Sequence, residues 1–261
     1  MNIVVVIKQV PEIELVRVDE AAGKVMLPSG PGVVNPFDEY AIEEALRIKE
    51  KMGGKVTALT VGSDRAESAL RQALAVGVDE AIVATDPGFE NSDPQAVARI
   101  LAAAIAKIGA VHLVLAGKQA IDDDSAQVPA ALAANLDWPQ ILFVKKTETI
   151  SETEGVFQRT TEEGYDSVAT SLPAVVSVVK EINEPRLPSL KGKMAAKKAP
   201  ITKWSAADLG VATSTVGGNS PTAVVKAFPP PPAKRGELIT GETPEEIAEK
   251  LVQKLRDSQV I

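Results

Sequence analysis

The sequence predicts an α/β fold: a mostly parallel sheet with helices on both faces, then an antiparallel extension and an extended C-terminal arm. Three observations carry this prediction. Apolar, β-branched runs of strand length alternate with stretches of helical length through the N-terminal half. These runs are apolar throughout rather than alternating, as in strands buried on both faces. From residue 183 the chain turns rich in proline and lysine and poor in core-forming residues. A length of 261 residues allows one large α/β domain with appendages.

Asn2–Val10 reads as a buried strand, too short and too branched for a helix. ELVRV and KVMLP flank the turn DEAAG and form an excursion hairpin. In NPFDE, Asn35 stands as N-cap, Pro36 at the first helical position, and acids follow in the first turn. That helix runs to about Met52 and stops at Gly53-Gly54. KVTALTV is the next strand, DRAESALRQALAV a helix closed by Gly77, and EAIVAT a strand. Pro94 opens the helix PQAVARILAAAIAKI, closed by Gly109, and VHLVLA is the following strand. An alanine-rich helix begins near Ser125. After it, ILFVKKTETI, VFQRTT and PAVVSVV are strands with little helix between them, hence the antiparallel extension. NEPRLPSLKGKMAAKKAP reads as a solvated connector. FPPPP (228–232) is a stiff spacer, and TPEEIAEKLVQKLRDS a capped amphipathic helix suited to docking on a partner. The expected division is 1–182 for the α/β domain, 183–200 for the connector and 201–261 for the arm.

The chain is 45% hydrophobic and 24% charged, ordinary values for a globular protein with a sizeable core. A net charge of −7 and a pI near 5.0 argue against nucleic acid or an anionic membrane as partner. With no cysteine, thiolate nucleophiles, disulfides and cysteine-held metal sites are excluded. The one histidine, His112, lies within VHLVLA and reads as a structural strand residue. MNIVVVIKQV has neither a basic segment nor a cleavage site, and no apolar run reaches 18 residues. A cytoplasmic location without direct membrane insertion is therefore expected.

The stretch with the clearest chemistry is GKQAIDDDSAQV (117–128). In an open parallel sheet, ligands bind at the carboxyl ends of strands near a topological switch point. Val6–Lys8, Val61–Gly62 and Gly117–Val128 meet that condition, and the helix entry Asn35–Phe37 adjoins them. Such a rim suits an adenine nucleotide. As side chains, Asp122, Asp123 and Asp124 would repel its phosphate, but a helix beginning near Ser125 points free amides and a positive dipole end at an anion. Asp124 can cap one amide, Ser125 offers a hydroxyl, Ala126 and Val128 leave their amides open, and Gly117 allows close approach. The acids then turn outward or bind ribose hydroxyls and loop amides. A calcium loop needs alternating acids, an internal glycine and a distal glutamate, so no metal is expected. Consecutive acids in a loop diverge, which weighs against a paired-carboxylate hydrolase, and no residue is read as catalytic. A capped surface turn is the plainer alternative. The phosphate loops GxxxxGK[ST] and GxGxxG are absent.

GKQAIDDDSAQV followed by LDWPQ, NPFDEYAIEEALR, ALAVG and LPAVVSVVKEINEPR together resemble the small (β) subunit of electron-transfer flavoprotein, from Met1 to about Gly210. RTTEEGYDSVATSLPAVVSV (159–178) is similar to the family's signature, with Arg159, Glu162, Gly164 and Pro173 in place. The resemblance implies a Rossmann-like, adenine-nucleotide-binding fold in a heterodimer with a large (α) subunit, which holds most of the redox FAD. It implies an electron carrier rather than an enzyme, taking electrons from flavin dehydrogenases such as acyl-CoA dehydrogenases and passing them towards a membrane quinone reductase. It implies a structural AMP contacted by Val6, Asn35, Pro36, Phe37, Asp38, Val61, Gly117, Lys118, Gln119, Ala120, Ile121, Asp122, Asp123, Asp124, Ser125, Ala126, Gln127 and Val128. It makes 183–200 a partner-recognition loop, with Leu190 entering a dehydrogenase pocket beside Arg186 and Lys191. The terminal helix would then dock on the large subunit.

The sequence also departs from the family's pattern. Ala126 stands where AMP-type members carry Asn, and Pro129 where they carry Gly. Ala126-Gln127-Val128 matches the flavin-bifurcating branch, where a second FAD occupies the AMP position, while Asp123-Asp124 and LDWPQ match the AMP type. Ile13 replaces a tyrosine near the redox flavin and can neither stack nor hydrogen-bond there; Phe37 is kept. Three functions follow: a carrier subunit with AMP, a bifurcating subunit with a second FAD, and a stand-alone nucleotide-binding regulator or ATP-hydrolysing enzyme. The missing phosphate loops count against the last. A nucleic-acid patch at lysines 191, 193, 197 and 198 is opposed by the net charge of −7 and the lack of interleaved aromatics.

Overall fold

In the computed structural model, which describes residues 1–232 and 236–261, the first apolar run forms β1 (Asn2–Val6) and resumes as β2 (Gln9–Val10). The single strand expected over 2–10 is broken because the Lys8 amide turns to the Asp38 carboxylate. The excursion hairpin is β3 (Arg17–Asp19) and β4 (Lys24–Met26), and β5 (Val33–Val34) pairs back on β2. α1 (Pro36–Met52) ends at Gly53, β6 (Lys55–Val61) follows, and α2 (Glu67–Val76) closes at Gly77 with φ 118°. β7 (Glu80–Ala84) leads to α3 (Pro94–Ile108), whose first turn is capped by Asp93, and then to β8 (Leu113–Gly117). His112 stands just before β8, its Nδ1 accepting from the Asn2 amide at 3.1 Å. α4 (Val128–Leu136) precedes β9 (Gln140–Ile150), β10 (Glu154–Thr160), β11 (Tyr165–Ser171) and β12 (Ala174–Val178).

The main sheet has the order β11-β10-β9-β12-β8-β1-β6-β7. Pairing is parallel from β9–β12 through β7 and antiparallel for β9, β10 and β11. β11 had no apolar signal: as an outer strand it pairs only with β10 and exposes most of its side chains. Ile3 and Val5 of β1 face a core shared with α1 and α2, whereas Val4 and Val6 face one shared with α3 and α4. Burial on both faces is why the strands read as unbroken apolar runs. The chain moves out from β1 through β6 to β7, then restarts at β8 on β1's other side. The switch point is between β1 and β8.

Residues 183–200 are not an open connector. Leu190–Lys198 form α5, capped by Ser189, whose hydroxyl accepts from the Gly192 amide at 3.0 Å. α5 lies on α2: a Cβ on Gly192 would strike the Ala75 carbonyl, Ala196 is buried, and Arg71 donates to the Ala196 carbonyl at 2.7 Å. Small residues make this contact, so the segment looked too poor in apolar side chains to pack. β13 (Thr202–Trp204) then adds to the sheet beside β7, and α6 (Ala206–Leu209) carries a capping box. The chain divides between Ala227 and Phe228, well after the expected boundary at 200/201. The second unit, Phe228–Ile261, contains α7 (Pro244–Asp257), capped by Thr243 with Pro244 in its first turn. Ile247, Leu251 and Val252 remain exposed on α7, with Leu251 at 46%.

Candidate functional site

Between β1 and β8 a crevice opens at the carboxyl ends of the strands, as a doubly wound topology requires. α1 starts beside it. Asn35 is buried at the N-cap position, but its side chain caps nothing. Its Nδ2 donates to the Gln119 carbonyl (2.8 Å) and its Oδ1 accepts from the Ile121 amide (3.1 Å). The expected cap is therefore a tether that fixes the loop after β8 to the start of α1.

Asp38 accepts from the Lys8 amide at 2.7 Å and from the Gly117 amide at 3.1 Å. Burial pushes its carboxyl up to about 7, against the opposing pull of the Lys8 amide, the Asn35 side chain, the Gly117 amide and the Lys8 charge. Gly117 is needed here for space. A Cβ would press on the Asp38 carboxylate, 2.6 Å from the Phe37 carbonyl carbon and 2.8 Å from Phe37 Cβ.

Lys8, from outside the acidic loop, offsets part of its charge. Lys8 Nζ reaches Asp122 at 2.7 Å and Asp123 at 3.1 Å. Asp123 also accepts from the Ser125 amide at 3.1 Å. Burial opposes ionisation of Asp123, but that amide and Lys8 outweigh it and hold the carboxyl below its usual range. Asp124 accepts from Gln119 and does not cap the helix; it adopts φ 55°, and Ala126 φ 53°. α4 begins at Val128, later than the expected start near Ser125, because these two left-handed residues delay helical geometry. Among the described residues no side chain caps its first turn, so an anion can meet those amides.

The crevice encloses a cavity of about 120 Å³. Of the sequence-predicted residues, Val6, Asn35, Asp38, Val61, Gly117, Gln119, Ala120, Asp123, Ser125, Ala126, Gln127 and Val128 line it. Pro36, Phe37, Lys118, Ile121, Asp122 and Asp124 stand behind or beside this lining. Lys118 Nζ lies 4.8 Å over the Phe37 ring, and Asp122 acts through Lys8. Sequence reasoning missed the wall that α3 supplies through Pro94, Val97 and Leu101. Lys8, which closes the predicted strand end Val6–Lys8, lines the cavity too.

The other predicted set lies elsewhere. Arg186 donates to Glu43 at 2.7 Å and to Glu50 at 2.5 Å, which raises its pKa, with the Glu50 bond the larger cause. It thereby fastens the chain ahead of α5 to α1, beside a cavity of about 470 Å³ that is larger than the crevice but away from the strand ends. Leu190 opens α5 and is 77% exposed; Lys191 follows it at the surface, and Leu187 and Met194 are also exposed. No helix among the described residues is long and apolar enough to cross a membrane.

Residues 24–209 match the family model described as electron transfer flavoprotein domain. The chain is 41% identical over 263 residues to the electron transfer flavoprotein subunit beta of Thermoanaerobacterium thermosaccharolyticum, covering the whole of both chains. It is 40% identical over 263 residues to caffeyl-CoA reductase-Etf complex subunit CarD of Acetobacterium woodii, again over the whole of both. Protein FixA of Azotobacter vinelandii is 37% identical, over 98% of this chain and 94% of its own length.

Proposed function

The chain belongs to the electron transfer flavoprotein family as a β-type subunit, and from that premise we propose that it serves electron transfer by holding an adenine nucleotide at its switch point and presenting α5 to donor proteins. In this reading it pairs with a large (α) subunit that carries most of the redox FAD. Donors are flavin dehydrogenases, acyl-CoA dehydrogenases among them, and the acceptor is a membrane quinone reductase. The subunit carries electrons and is not itself an enzyme.

The observation that carries the nucleotide reading is the crevice between β1 and β8, where the uncapped first turn of α4, Gly117 and the Asn35 tether converge. A nucleoside 5′-phosphate fits that chemistry: amides for the phosphate, and the apolar α3 wall for the base or sugar face. The acids, drawn to Lys8, Gln119 and Ser125, leave the anion site to the backbone. The first reading is AMP. A second FAD, which shares the same adenosine phosphate moiety, is favoured by Ala126-Gln127-Val128 and by likeness to a subunit named for a reductase–Etf complex. Mass spectrometry of the nucleotide released on denaturation decides: AMP supports the carrier reading, FAD the bifurcating one. A hydrolysable triphosphate would return the stand-alone regulator or ATP-hydrolysing enzyme.

Removing the nucleotide is expected to loosen this subunit, because its site joins several strand ends. At tenfold excess over Kd, a ligand specific to the native state contributes about 1.4 kcal/mol, so Tm should fall by a few degrees on complete removal. A melting curve unchanged by removal would count against the site's place at the switch point. Docking of the arm is a second expectation, since the exposed stripe of Ile247 and Leu251 on α7 needs cover. Deleting residues 229–261 should weaken assembly with the large subunit several-fold in sedimentation while leaving the nucleotide bound. Assembly at full strength would show that the arm docks elsewhere.

A further inference from the structure

Anion binding at the crevice leaves one carboxyl without an explanation. Asp38 is only 6% exposed, yet it lines the cavity. Its oxygens hold the amides of Lys8 (2.7 Å) and Gly117 (3.1 Å), which follow β1 and end β8. A single side chain on α1 therefore spans the two strands that flank the switch point and sets the floor of the crevice. The charged groups around it are few. Lys8 supplies the nearby cation, but its ammonium is turned towards Asp122 and Asp123. Among the described residues, Asp123 is the other carboxyl in the lining, and the walls from β6 and α3 present Val61, Pro94, Val97 and Leu101.

We propose that Asp38 is a proton-linked positioning residue of this site: it takes up one proton from solvent as an anionic nucleotide enters, and as a neutral acid it still ties β1 to β8. The inference rests on the reading of the crevice as a nucleotide site. A phosphate brought into the same cavity adds negative charge beside a carboxylate that water does not screen, which disfavours its ionised form. Asp123 answers differently, because Lys8 and the Ser125 amide keep it ionised. The proton forms an O–H bond on one Asp38 oxygen, each oxygen still accepts its amide through a remaining lone pair, and the new hydroxyl can donate to a ligand oxygen. No other bond changes. Burial has already brought the group to about 7, so the uptake occurs at neutral pH. The sign follows from linkage. Binding that takes up a proton weakens as pH rises through about 7, by at most about tenfold per pH unit, and levels off above the value of the bound state.

The test is calorimetric titration of AMP into the full-length chain with its large subunit, after nucleotide removal, in buffers of low and high ionisation heat. At about pH 8 the AMP phosphate, whose second pKa is near 6, is already deprotonated, so any proton taken up belongs to the protein. Wild type should take up a measurable fraction of one proton, and its affinity should fall between about pH 7 and pH 8. Asp38→Asn, of the same size but unable to take up a proton there, should show neither effect. Equal proton counts in the two proteins overturn the proposal. So does the absence of uptake in wild type, which decides the matter alone if the variant does not fold. Failure of both AMP and FAD to bind wild type overturns the nucleotide reading and this proposal with it; binding without uptake overturns only the proposal.

Discussion

On the proposed docking role of α5, Leu190→Ala should raise the apparent KM for this subunit about ten- to a hundredfold in an assay with a donor dehydrogenase. The side chain is 77% exposed at the start of α5, left uncovered by the described residues. Burying such a leucine in a partner pocket contributes roughly 1.5–3 kcal/mol, which converts to that range of affinity. A carrier that meets several partners and must leave each one gains from concentrating its affinity in one such anchor. The substitution should not disturb the fold, because alanine is at least as good a helix former, and the Ser189 cap and the Gly192 and Ala196 contacts lie on other residues. Flavin content and the rate of chemical reduction should therefore match wild type. A steady-state titration with flavin content measured in parallel checks this. An unmoved KM would show that Leu190 is not the anchor, and lost flavin that its role is structural.

Gly117→Ala should remove most of the bound nucleotide. The added methyl meets the Phe37 carbonyl carbon at 2.6 Å and Phe37 Cβ at 2.8 Å, and it also presses on the Asp38 carboxylate. Part of that obstacle is backbone, so α1 has to shift against β8, and the Asn35 tether to Gln119 shifts with it. Overpacking of this kind costs about 1–3 kcal/mol. Taken at the site, it lowers nucleotide affinity about five- to 150-fold. Gly30→Ala is the control, since among the described residues no atom beyond its chain neighbours lies within 4 Å of the position a Cβ would take there. Nucleotide per chain after dialysis is the measurement. Full retention in Gly117→Ala would mean that the crevice floor can move without cost.

What could be read from the sequence follows from how local each signal is. β1, β6, β7, β8 and β12 stand out because burial on both faces leaves a run of apolar residues in each. β11 and α5 do not. One is an exposed outer strand, and the other packs through a glycine and an alanine, which resemble linker composition. At the site, Gly117, Asp38 and the acidic loop were marked by position and residue type. Their bonds were not, because the partners are distant in the chain: Asp38 meets a residue 79 positions away, Asn35 one 84 away, and Lys8 one 114 away. Long-range pairing also explains the error over Asn35. NPFD is a sound local signature for a capped helix, but the tertiary fold gives its side chain a stronger use.

The mounting of α5 has an evolutionary consequence. Its inward residues, Gly192 and Ala196, face α2, and its outward residues, Leu190, Lys191 and Met194, are exposed where the proposed partner would dock. Arg186, fastened to Glu43 and Glu50 on α1, keeps the chain entering the helix in place. The outward positions can therefore be exchanged without disturbing either the core or the crevice. On the proposed reading, a lineage can acquire a new redox partner through substitutions in a nine-residue helix while its nucleotide site is inherited unaltered.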